Sequence, residues 1–93
     1  MPDTLILDPG EDLMVLERVI VAPTVGVFVP KDDDAVHLEG KVVAVGQVVG
    51  TIEASGTATE VRSPFAGRIM GMMARSGERV REGQPVAWLR AVA

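Results

Sequence analysis

The chain says much the same thing twice. Residues 22–54 carry Pro23, Gly26, Gly40, Val43, Gly46, Gln47, Val49 and Ile52. Residues 63–91 answer with Pro64, Gly67, Gly77, Val80, Gly83, Gln84, Val86 and Leu89. Mates lie 41 residues apart for Pro23/Pro64 and Gly26/Gly67 and 37 apart for the rest, so the first copy is four residues longer between Gly26 and Gly40. A unit of this size cannot hide its apolar face alone, so the two copies are expected to bury each other in a pseudo-twofold fold.

Ninety-three residues make one domain, which buries roughly 60–65% of the unfolded chain's surface. Sixteen of them are valine, whose branched Cβ suits a pleated sheet and disfavours helices. Ten Gly and six Pro are spread along the chain and cut it into short strands. An all-β domain follows.

With no cysteine, disulfides, zinc–thiolate sites and cysteine nucleophiles are excluded. The N-terminus has Asp3 and no basic region, and no apolar run reaches ~18 residues, so a cytoplasmic protein without a membrane segment is expected. A net charge of −4 with three aromatic residues argues against nucleic acid, because the chain lacks both a phosphate-neutralising field and a stacking platform. The charge is split. Residues 1–60 hold eleven Asp/Glu against three Lys/Arg, whereas residues 61–93 hold six Arg against Glu78 and Glu82. Either the halves attract each other, or an arginine-rich face of Arg62, Arg68, Arg75, Arg79 and Arg81 meets an acidic partner.

Along the chain, Thr4–Leu7 is short and apolar and is broken by Asp8-Pro9-Gly10. Residues 17–22 read as a strand with 13–16 as its continuation, although Leu13, Leu16 and Ile20 also fit a short helix over 11–18. This leader has no mate in the repeat and is expected to pair with a sheet edge or to make a homo-oligomer contact. Val25, Val27 and Val29 alternate with Gly26 and Phe28 in a half-buried strand ended by Pro30. Lys31–Asp34 is the insertion. Its adjacent aspartates lack the spaced ligands and glycine turn of a calcium loop, and His37 stands without the partners of a ligand set.

Gly40–Gln47 and Gly77–Gln84 are matched corners, each with a valine three residues after one glycine and a second glycine three later. The glycines suit positive φ, and Val43 and Val80 are the expected buried plugs. Residues 48–53 lead outward and 60–63 lead back, with Ala54–Thr59 as the tip of the central hairpin. Ile69, Met70, Met72 and Met73 form the next strand, its methionines either filling core gaps or making a soft binding surface. Period two puts Trp88 on the same side as Val86 in the last strand.

These turn motifs resemble the biotinyl/lipoyl carrier domains, and most closely the biotin carboxyl carriers of acetyl- and acyl-CoA carboxylases. The resemblance covers about residues 19–90 and rests on Ala22-Pro23-Thr24-Val25-Gly26-Val27-Phe28, Val61–Gly67 and Gly77–Val86. It implies a flattened barrel of two four-stranded antiparallel sheets related by a pseudo-twofold axis. The domain would span 17–93, with 1–16 as an N-terminal extension in strand or short helix. Residues 30–36 look like a shortened form of the "thumb" insertion of the biotin branch.

Such carriers bear their biotinyl lysine in Glu-Ala-Met-Lys-Met. Here the motif reads Glu53-Ala54-Ser55-Gly56-Thr57 without a gap, so the lysine position falls on Gly56. Biotin and lipoate attach as amides to a primary amine, and Gly56 offers none. Ser55 and Thr57 could form only labile esters, and Ala54 and Ala58 have no reactive group. The expected reading is a carrier-like module without prosthetic group or catalytic residues. The resemblance implies carboxylase or carboxyltransferase subunits as its partners, and fatty acid biosynthesis as its setting. Two alternatives stand beside it: a non-covalent small-molecule or acyl-binding module, and a structural domain of the efflux-adaptor kind.

Overall fold

The computed structural model describes residues 16–31 and 38–91. Eight strands follow in order: β1 Leu16–Val21, β2 Gly26–Pro30, β3 Val42–Val43, β4 Val48–Ala54, β5 Thr57–Arg62, β6 Gly67–Met72, β7 Arg79–Val80 and β8 Pro85–Ala91. They form two antiparallel four-stranded sheets, β1-β8-β6-β3 and β5-β4-β2-β7. Advancing every strand by four positions, with return to β1 after β8, turns the first order into the second. The internal repeat of the sequence is therefore a rotation of the fold.

The halves interlock by exchanging corners. Ala22 N donates to Gln84 O and Gly83 N to Ala22 O, both at 2.8 Å. The mates repeat this: Ser63 N donates to Gln47 O at 2.9 Å and Gly46 N to Ser63 O at 2.7 Å. Phe28 is held in the same way by Glu78 and Gly77, and Ile69 by Lys41 and Gly40. Each half's corner thus satisfies the backbone of the other, and neither half could close its hydrogen bonds alone. Within the corners, Gln47 and Gln84 each accept at Oε1 from the backbone N–H three residues earlier, at 3.0 Å. The corner glycines 40, 46, 77 and 83 all have φ between +83° and +88°, where a Cβ is unfavourable.

The repeated Gly26 and Gly67 serve another need. A Cβ on Gly26 would lie 2.6 Å from Glu53 O, and one on Gly67 would lie 2.2 Å from Arg90 O. The two strands of each pair approach too closely for any side chain there.

Between the sheets lies one core of Ile20, Ala22, Phe28, Leu38, Val43, Val49, Ile52, Val61, Ile69, Ala74, Val80, Val86, Ala87 and Leu89. Val43 and Val80 are buried plugs, 2% and 0% exposed. Large and small residues compensate each other within each copy. Phe28 packs where Gly50 leaves room, a Cβ there meeting the ring at 2.8 Å, while the mates are Ile69 and Ala87. Ser63 is the buried polar side chain of the described residues, and its Oγ donates to Phe65 O at 2.6 Å.

Several expectations need correction. The tip is tighter than Ala54–Thr59: Ala54 pairs with Thr57 and Glu53 with Ala58, so only Ser55 and Gly56 lie outside the ladder. Val86 and Trp88 do not share a side, because the β1–β8 register shifts at Val86, which turns inward while Trp88 stays half-exposed. The equivalent irregularity falls at Val49 in β4, so both bulges belong to the repeat. Of the methionines, Met72 packs against the core, Met70 is half-buried and Met73 lies past β6, exposed. Leu16–Arg18 is strand rather than helix. The remaining readings of the leader, and those on residues 32–37 including His37 and the aspartates, lie outside the described residues.

Candidate functional site: the apex of the central hairpin

β4 and β5 form the long hairpin of the second sheet. Ser55 and Gly56 have φ of 51° and 79°, the two positive angles of a type I′ turn. This turn matches the right-handed twist of the strands it joins, which is why two residues suffice. Glycine is at ease at Gly56, whereas Ser55 holds a left-handed conformation at some cost. The apex is exposed, and a Cβ on Gly56 would meet nothing within 4 Å. A hollow of about 500 Å³, open to solvent, lies beside it. Ala54, Thr57 and Ala58 line it together with Glu53 and, from β2, Val27. Val27 carries no signal in the sequence, since its place beside Glu53 is set by the order of strands in the sheet.

The chemistry at this apex is limited to hydroxyls and one carboxylate. A group linked as an amide does not fit the residues present, because no amine lies on the turn. Lys31 follows the end of β2, where Pro30 pairs with Gly50, about five residues or ~17 Å along β4 from Ser55. Lys41 stands in the corner before β3, its N–H bonded to Leu38 O. Met70 and Met72 lie on β6, in the other sheet from the hairpin.

The five arginines do not form one face. Arg62 donates from Nη1 to Gly46 O at 2.7 Å and pairs with Glu60; Arg68 donates from Nη1 to Gly40 O at 2.6 Å. Both thereby anchor the first copy's corner from the second copy. Across the halves, Arg90 also meets Glu17 at 3.8 Å, and Met72 N donates to Glu39 Oε2 at 3.0 Å. Attraction between the halves thus accounts for part of the charge split. Arg75, Arg79 and Arg81 lie around β7, at the opposite edge of the second sheet from β5 and Arg62. Their side chains make no ion pair among the described residues.

No helix among the described residues is long and apolar enough to cross a membrane. Comparison with solved structures finds the same fold inside much larger proteins. One is the urea carboxylase of Kluyveromyces lactis, at TM-score 0.67 and 24% identity over 80% of this chain and 6% of that one. Another is a single-chain, multi-domain long-chain acyl-CoA carboxylase, at TM-score 0.70 and 21% identity over 97% and 8%. A third is an aspartoacylase family protein from Mesorhizobium loti, at TM-score 0.62 and 22% identity over 81% and 23%. This chain thus spans less than a tenth of either carboxylase and under a quarter of the third. No curated protein matches it. The model of the biotin/lipoyl family, described as biotin-requiring enzyme, matches residues 18–89. With the interlocked repeat and the central hairpin both in place, the chain belongs to the biotin/lipoyl carrier family.

Proposed function

We propose that this chain is a carrier-type module that works without a prosthetic group, as an accessory, assembly or regulatory subunit docking on carboxylase-type proteins. One observation carries the reading: the hairpin that presents the attachment residue is intact, yet its apex is Ser55-Gly56 and holds no amine. Lys31 and Lys41 lie away from the turn, in places a ligase reading the hairpin would not reach. The carboxylases among the solved structures make partners of that class the natural ones for a shared fold. The carrier domain of this family is the non-catalytic part of its enzyme complexes, and among the described residues neither the Ser55 nor the Thr57 hydroxyl is hydrogen-bonded to a base that would activate it.

The test is co-expression with a biotin ligase, read by intact mass and streptavidin binding. No mass increase is expected. A stoichiometric adduct on Lys31 or Lys41 would end the proposal. Gly56→Lys alone should label weakly, because Ser55 and Thr57 replace the methionines that flank the lysine in the family. Adding Ser55→Met and Thr57→Met should give clear labelling.

The hollow beside the apex favours a second reading, non-covalent binding of a small molecule or acyl chain. Calorimetric titration with biotin, lipoate and acyl-CoA separates the two, heat of binding favouring the second. Trp88 is no reporter of that site, since it stands on the other sheet.

A further inference from the structure

The two sheets end in four edges. β3 and β7 are two residues long, and β5 carries the Glu60–Arg62 ion pair. Short length and charge are the usual means of stopping an edge from pairing with another chain. β1 is six residues long, and at the mates of Glu60 and Arg62 it has Val19 and Val21, which are 43% and 45% exposed. Its two charges are engaged within the molecule: Glu17 with Arg90, and Arg18 at 5.5 Å over the Phe65 ring. The apolar row continues inward, because Val19 pairs with Trp88, which lies over Gly71 so closely that a Cβ there would be 2.7 Å from Nε1. Trp88's mate in the other sheet is Thr51.

We infer that β1 pairs antiparallel with β1 of a second copy of this chain, about a local two-fold, joining two four-stranded sheets edge to edge. The strand's own sequence suits this partner. Directly opposed residues in an antiparallel pair share a face, so Glu17, Val19 and Val21 can oppose only one another. Registers that set Glu17 against Glu17, or Arg18 against Arg18, oppose like charges and are disfavoured. Those that remain set Val19 against Val19 or Val21 of the other copy and bring the valines of the two strands side by side on one outward face. The contact is isologous and closes at two copies, since the other edges are short or charged. One six-residue seam covers well under the ~1,200 Å² of a stable complex, so the dimer is weak and concentration-dependent.

Sedimentation of the full chain from micromolar to millimolar concentration tests this. The mass should rise from monomer towards dimer. Val19→Glu with Val21→Arg copies the residues β5 already carries at the equivalent place, and should leave the circular dichroism unchanged while weakening association about tenfold or more. The chain has no cysteine, so Val19→Cys should oxidise to a linked dimer faster than Glu60→Cys, a comparison that holds even if the double variant folds poorly. A monomer at all concentrations, or equal cross-linking by the two cysteine variants, would overturn the inference. So would a monomer in which the β1 amides that point away from β8 resist hydrogen exchange, for then another part of the same chain covers the edge.

Discussion

Strands β1 and β5 stand at equivalent places in the two sheets, and the residues they turn inward are nearly interchangeable: Ile20 in one, Val61 in the other, both buried. Outward they differ in kind, valines at 19 and 21 against Glu60 and Arg62. Inward positions answer to their neighbours within the fold, so a change there must be matched within the copy, as Phe28 with Gly50 in one copy is answered by Ile69 with Ala87 in the other. Outward positions answer to water or to another molecule and are free to diverge. The apex of the hairpin belongs to this second group. Its backbone turn is set by the strands, while the chemistry of Ser55, Gly56 and Thr57 is not.

The comparison can be broken by substitution. Phe28→Ala should be the most damaging change, costing about 3–5 kcal/mol in thermal or denaturant unfolding, because the ring fills space that Gly50 leaves beside it. A cost no larger than that of a surface change would deny the complementarity within the copy. Val43→Ala and Val80→Ala should each cost about 2–4 kcal/mol and agree closely, since both plugs are equally buried. A large difference between them would show that the two corners do unequal work. At the apex, Ser55→Ala and Thr57→Ala should each change stability by less than about 0.5 kcal/mol. Losses there comparable to those at the plugs would place the tip within the cooperative core.

Much of this was legible in the residues. The duplicated glycines and valines announced two interlocked copies, and Val43 and Val80 could be named as plugs because their spacing from the corner glycines is the same. Gly56 could be placed at the apex because Glu53-Ala54 and Glu60–Pro64 leave no gap. Other features escaped. Val86 turns inward because a bulge interrupts the period of two, and a bulge leaves no mark in a single strand. The arginines, grouped by their nearness in sequence, divide in space, since Arg62 and Arg68 reach back to carbonyls of Gly46 and Gly40. Val27 joins the hollow at the apex only because β2 lies next to β4.

What the amino-acid order determined by itself was local and periodic: where the chain must turn, which residues can be strand, and that the apex lacks an amine. These depend on the conformational freedom of glycine, the stiffness of valine and the presence or absence of an atom, none of which needs a neighbour from afar. Only the tertiary structure decided which strand faces water, which arginines are engaged and which edge is left open. Those depend on the order of strands in each sheet, where residues as distant in sequence as Ala22 and Gln84 come within hydrogen-bonding distance.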